Sequence, residues 1–221
     1  MRLSTIILPI YSWRDGRAVW RRAEQLGFHG AYTYDHLSWR TFRDGPWFGT
    51  MPTLTAAATA TQTIRLGTMV TNPNFRHPLT LAKDLMTLDD ISGGRITLGI
   101  GAGGSGFDAT VLGNAQLSPR ERADRFGEFL PLLSMLLQQD VTTSHGSHYT
   151  VVDRSCSNRS TYRVRTGDPV RRARPHVSQC RAGAPWLPSV YCHDERLGVS
   201  RIRTDGVFER CASDNAGNAW E

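Results

Sequence analysis

The apolar residues of the first 150 positions fall into short blocks of two alternating kinds. Residues 3–8 form a compact apolar run ended by Pro9, and residues 15–26 then carry Val19, Ala23 and Leu26 at helical spacing before Gly27. This order predicts a strand followed by a helix, and the unit recurs. Residues 30–34 read as a second strand, and the alanine-rich stretch 52–61 as a helix packed closely on a sheet. Residues 64–70 read as a third strand, followed by a helix over 78–88 with Leu79, Ala82, Leu85 and Met86 on one face. Ser92, Gly93 and Gly94 turn the chain into a fourth strand over 95–100. After a glycine-rich loop, Ser118, Pro119 and Glu121 have the order of an N-cap, a first-turn proline and a capping-box acid. They precede Ala123, Phe126, Phe129, Leu130, Leu133 and Leu137.

Four strands about 30 residues apart, each followed by a helix, predict parallel pairing through right-handed crossovers. An α/β fold follows, either an open doubly wound sheet or a (β/α) barrel of the TIM type, and periodicity does not choose between them. Both place ligands at the carboxyl ends of the strands. The residues that carry chemistry should therefore follow Leu8, Tyr34, Val70 and Ile100.

From Arg154 onward neither period is present, and Arg, Ser, Gly, Pro and Cys are scattered without punctuation. No elements are predicted there. The chain thus divides into a patterned segment, 1–152, and a tail, 153–221, that is poor in core-forming residues and reads as irregular or unfolded. Abrupt loss of pattern at this boundary also fits a change of reading frame, which would make the product truncated and inactive.

Charge and cysteine follow the same division. From Arg154 onward twelve arginines stand against seven acidic residues, so the tail carries most of the net charge of +6. Scattered arginine with no recognisable fold or stripe does not make a nucleic-acid footprint. All four cysteines, Cys156, Cys180, Cys192 and Cys211, lie in the tail, and no pair has the two-residue separation of a zinc knuckle or redox motif. No apolar stretch is long enough for a secretory signal or a membrane span, so the expectation is a cytoplasmic protein acting on a small-molecule substrate, with neither metal, nucleic acid nor membrane as partner.

Three loops hold candidate chemistry. Asp35 and His36 follow the second strand and lead into a loop with Trp39, Arg40, Phe42, Arg43, Trp47 and Phe48. A carboxylate and an imidazole there can position a proton donor beside a reducible ring while aromatics exclude water. The alternative is that Asp35 caps a turn and His36 bonds to the backbone. After the third strand, Thr71, Asn72, Pro73 and Asn74 could grip the polar edge of a flat heterocycle, or simply turn the chain. After the fourth, residues 99–106 match GxGxxG twice. A dinucleotide fingerprint must open a helix directly, and the next predicted helix begins only at Ser118, so a Rossmann-type nicotinamide site is the weaker reading.

Together the stretches GFHGAYTYDHLSWR, TIRLGTMVTNPNFRHPLTLAKDLMTLDDISGGRITLGIGAGG and SPRERADRFGEFLPLL resemble the luciferase-like monooxygenase superfamily. The resemblance covers residues 1–152 and is most specific over 64–104. It implies the first four βα units of a TIM-type barrel, and an oxidoreductase or monooxygenase using reduced FMN or the deazaflavin coenzyme F420, with His36 favouring the deazaflavin. It further implies catalytic roles for Asp35 and His36. Val70, Thr71 and Asn72 would meet the cofactor after the third strand, where many members carry a bulge or a non-proline cis peptide. Ala102, Gly103 and Gly104 would flank its ring. Residues 145–152 resemble the start of a hairpin inserted before the fifth strand. Four βα units alone leave exposed edge strands, which a homodimer would cover.

Overall fold

The computed structural model describes residues 3–39, 42–155, 190–194, 199–204 and 207–211 of the 221. The alternation read from the sequence is present in order: β1 (Ser4–Ile6), α1 (Trp13–Gln25), β2 (Gly30–Thr33), α2 (Thr50–Ala60), β3 (Arg65–Thr68), α3 (Pro78–Ser92), β4 (Ile96–Gly99) and α4 (Pro119–Gln138). β1 through β4 pair in parallel in sequence order, as right-handed βα crossovers require.

Helix ends obey the local chemistry. Ser118 and Glu121 close a complete capping box at α4. Gly27 and Gly93 end α1 and α3 at positive φ, 76° and 68°, where a Cβ would be strained. At α3 the cap is His77, whose imidazole accepts from the Leu79 N–H at 3.1 Å.

A continuous core forms where the helices cover the sheet. Trp20 and Ala23 of α1, Leu54 and Ala57 of α2, Leu81 and Leu85 of α3 and Phe129, Leu133 and Leu136 of α4 are all buried with the sheet residues Ala31, Leu66, Ile96 and Leu98. Each large side chain so buried stabilises by roughly 1.5–3 kcal/mol. Ala57 is fully buried, which explains the alanine run: small residues let α2 lie close to β3.

At the amino-terminal face of the strands two charged side chains tie the units together. Arg95 donates to the carbonyls of Ala58, Thr61, Ile64 and Ser92 and to the Thr61 hydroxyl. Glu24 accepts from the N–H groups of Gln62, Thr63 and Ile64, at 2.8, 2.6 and 3.0 Å, and from the Thr63 hydroxyl. Burial alone would raise the Glu24 carboxyl, but these donors outweigh it and hold it at about 2, against an ordinary 4.5. A depressed carboxyl contributes stability that is present above the unfolded value and lost as pH falls through the folded one. The stability from Glu24 should therefore be complete above about pH 5 and disappear toward pH 2. Glu24→Gln is expected to cost about 2 kcal/mol at pH 7, after discounting for solvent screening, and the deficit should vanish in thermal melts near pH 2.

Beyond α4, β5 (Val141–His145) and β6 (Thr150–Ser155) form an antiparallel hairpin, which includes the segment expected to insert before a fifth strand. It is fastened to α4 by Glu128, which accepts from the backbone of His148 and Tyr149. The tail departs from the expectation of no elements. β7 (Val190–Asp194) pairs in parallel with β4, and β8 (Val199–Thr204) and β9 (Val207–Cys211) add antiparallel strands outside it. Backbone pairing needs no apolar alternation, so strands such as VSRIRT leave no periodic signal. Cys192 and Cys211 lie in β7 and β9, whereas Cys156 and Cys180 lie outside the described residues. Among the described strands the sheet runs β1-β2-β3-β4-β7-β8-β9 and the barrel is not closed. No described helix is long and apolar enough to cross a membrane.

Candidate functional site

The loops after β2, β3 and β4 meet at the carboxyl end of the sheet. Asp35 and His36 leave β2 together but take different partners. Asp35 is 1% exposed; it accepts two hydrogen bonds from Arg76, at 2.7 and 3.0 Å, and one from the Thr71 hydroxyl at 2.5 Å. This bidentate pair joins the β2 and β3 loops beneath the site. Arg76 also approaches Asp84 at 3.8 Å. Burial pushes the Asp84 carboxyl up; the Arg76 charge opposes the shift and Asp35 adds to it.

His36 turns the other way. Its Nδ1 donates to the Asp108 carboxylate, whose second oxygen accepts from the Leu37 N–H at 2.9 Å. A carboxylate on Nδ1 fixes the tautomer and leaves Nε2 to face a ligand. The imidazole lies against Trp39, with ring centroids 4.2 Å apart at 36°, and the Trp47 indole donates to the His36 carbonyl at 2.8 Å. Ser38, two residues along, has a buried hydroxyl without a hydrogen-bond partner among the described residues. A buried hydroxyl in that condition costs free energy that a bound polar group would recover.

On the β3 side the Met69–Val70 peptide is cis. Val70 is partly exposed, while Thr71 and Asn72 are buried. Thr71 is committed to Asp35, and Asn72 Oδ1 accepts from the Asn74 N–H at 3.0 Å. What this loop presents to a ligand is therefore its backbone and Val70. On the β4 side, Ala102, Gly103 and Gly104 are partly exposed. Gly103 has φ 86°, and a Cβ there would press on the Asn74 side chain at 2.7 Å.

A brace behind this glycine loop left no sequence signal. Arg122 donates to the Gly103 carbonyl at 2.9 Å, Arg125 to Asn74 Oδ1 at 2.5 Å, and the Asn74 amide to the Gly104 carbonyl at 3.2 Å. Burial depresses Arg125, with Tyr149 opposing the shift and Arg122 adding to it. After the glycine loop comes only a three-residue 3-10 turn, Phe107–Ala109, and α4 begins at Pro119. The geometry of a phosphate-binding helix opening on the glycines is missing, so the nicotinamide reading has no support here. That short turn instead places Asp108 against His36. Nothing in the sequence marks Asp108, because a partner 72 residues distant has no local signature.

Parallel βα units with a histidine and a glycine-rich backbone edge at the strand carboxyl ends define the half of a TIM-type barrel that carries an active-site face. Residues 3–173 match the family model for luciferase-like monooxygenases, and the chain belongs to this family. The match runs about twenty residues beyond the boundary expected at 152. An F420-dependent glucose-6-phosphate dehydrogenase of Beutenbergia cavernae is 36% identical over 149 residues, covering 66% of this chain and 44% of the relative. A 4-hydroxyprotoasukamycin monooxygenase of Streptomyces nodosus subsp. asukaensis is 34% identical over 131 residues, covering 58% and 33%. Among solved structures, an F420-dependent secondary alcohol dehydrogenase with an F420–acetone adduct superimposes with a TM-score of 0.63 at 23% identity, covering 71% of this chain and 48% of that one. This chain thus spans less than half the length of each of these three relatives.

Proposed function

We propose that the chain is an oxidoreductase that uses coenzyme F420 to interconvert a small alcohol and its carbonyl compound. The observation that carries this reading is His36, oriented by Asp108 and backed by Trp39, at the same carboxyl end of the sheet as the partly exposed residues 102–104. The residues present suit a flat heterocycle: the glycine edge at Gly103 and Gly104, the partly exposed Val70 on the adjoining loop, and a buried Ser38 hydroxyl with no hydrogen-bond partner among the described residues. A deazaflavin bound there would supply two-electron hydride chemistry. The protein's part is to handle the proton. His36 Nε2 takes the hydroxyl proton as the carbinol carbon gives up its hydride, and returns it in the reverse direction. Asp108 stabilises the imidazolium while the ring keeps its orientation. Trp39 and Trp47 shield the imidazole from water. The F420-dependent relatives, at up to 36% identity, favour the deazaflavin over FMN.

Titrating the full chain with oxidised F420 and with FMN, each followed by its own fluorescence, tests the proposal. Saturable F420 binding at least tenfold tighter than FMN is expected. Tighter FMN binding would move the chain to the oxygenating branch, and binding of neither would sink the reading.

A further inference from the structure

The loop after β3 and the loop after β4 are fastened to each other through the side chain of Asn74. It is buried, although it lies in a loop, and both ends of its carboxamide are in use. Oδ1 accepts from Arg125 at 2.5 Å, and Nδ2 donates to the Gly104 carbonyl at 3.2 Å. A guanidinium only donates and a carbonyl only accepts, so these two partners fix which way round the amide stands. The Asn74 N–H in turn donates to Asn72 Oδ1 at 3.0 Å, which holds its own backbone in a turn.

The target of this tie sets it apart from a merely stabilising contact. Consecutive carbonyls of the glycine loop each receive a donor: Ala102 from Arg125 at 3.5 Å, Gly103 from Arg122 at 2.9 Å, and Gly104 from Asn74. Gly103 stands at φ 86°, and a Cβ added there would meet Asn74 Oδ1 at 2.7 Å, so the carboxamide lies directly against this glycine. Glycine has more backbone freedom than any other residue, and a run such as Gly101, Ala102, Gly103 and Gly104 keeps one conformation only where other groups impose it. Asn74 and the two arginines impose it on a segment at the same end of the sheet as His36.

We propose that Asn74 is a positioning residue, whose carboxamide, oriented by Arg125, presets the Gly103–Gly104 backbone that the coenzyme ring meets. The tie stands on the geometry alone; its consequence for the coenzyme rests on the F420 reading above. Asn74→Asp separates positioning from stability. The carboxylate keeps the Arg125 contact and adds charge to it, so the fold should keep its stability. Its second oxygen replaces the donor facing the Gly104 carbonyl, and two acceptors there repel. Asn74→Ala removes both contacts and carries no charge, which controls for repulsion of an anionic ligand.

Two measurements on the full chain test the proposal. Without coenzyme, amide relaxation NMR should give Gly103 and Gly104 an order parameter of about 0.85 in the unsubstituted protein and below about 0.6 in both variants. With F420, the dissociation constant should rise about fivefold or more in both variants. The thermal midpoint of Asn74→Asp should stay within about 3 °C of the unsubstituted protein. Glycines that stay rigid in both variants, or an F420 affinity unchanged once they are loose, overturn the proposal. Weaker binding in Asn74→Asp alone overturns it too, because the effect then belongs to charge. An unsubstituted chain that binds neither F420 nor FMN sinks the coenzyme reading instead, and loosened glycines in the variants would still show that Asn74 sets the loop.

Discussion

His36→Ala is expected to lower turnover of an alcohol with F420 by about 100-fold or more while leaving F420 affinity within about twofold. The separation follows from where the side chain sits. Its Nδ1 is held by Asp108 and its face by Trp39, so in the proposed reaction the imidazole would meet the substrate hydroxyl, while residues 102–104 would hold the heterocycle. Its removal would take away the proposed proton acceptor and leave residues 102–104 in place. Asp108→Asn keeps the volume but can present its N–H to Nδ1 and reverse the tautomer, so turnover should fall about tenfold or more, again without loss of coenzyme. Asp35→Asn should behave differently. Asp35 is buried and receives both Arg76 donors, so its neutralisation leaves the partly buried guanidinium with only the more distant Asp84, at 3.8 Å, as counter-charge, and the expected loss is about 2–3 kcal/mol of stability. Steady-state rates and thermal melts on the same three proteins therefore resolve the two carboxylates. A His36→Ala enzyme with unchanged turnover would remove the imidazole from the reaction.

The contrast between Asp35 and Asp108 shows what the sequence makes legible. Strand and helix order follows from hydrophobic periodicity, and the capping box at Ser118 and Glu121 is a local hydrogen-bond pattern; both are encoded within a few residues. The position of the site follows as well, because parallel βα units place it after the strands. Which carboxylate serves the histidine is not local. Asp35 is adjacent to His36 in sequence yet points to Arg76, 41 residues on, while Asp108 comes from the next loop but one. Likewise Arg122 and Arg125 sit on α4 at positions that read as an ordinary solvated helix face, and only the packing of α4 against the glycine loop turns them into its brace. The tail strands are illegible in the sequence for a different reason: main-chain hydrogen bonds along β4 and β7 carry no residue-type signature.

Two glycines in the middle of the sheet set the second large effect. Gly67 on β3 and Gly99 on β4 each lie against the backbone of the neighbouring strand. A Cβ on Gly67 would run into the Thr97 carbonyl oxygen, and one on Gly99 into the Thr68 carbonyl oxygen. Those obstacles are backbone, so the collision can be relieved only by moving a strand that is paired on both sides. The Thr68 hydroxyl, which donates to the Gly99 carbonyl at 2.7 Å, would lose its partner in that shift. Gly67→Ala and Gly99→Ala are each expected to cost about 3 kcal/mol, read as a lower midpoint in thermal or urea melts of the full chain. Gly127 on α4 supplies the opposite sign. Nothing lies within 4 Å of a Cβ built there and its backbone is helical, so Gly127→Ala should stabilise by about 0.5–1 kcal/mol. Equal melting of the Gly67→Ala and Gly127→Ala proteins would mean that β3 and β4 are not held at this separation. Because the loops bearing Val70 and Ala102 continue directly from these two strands, that result would also remove the basis for placing a flat ring between them.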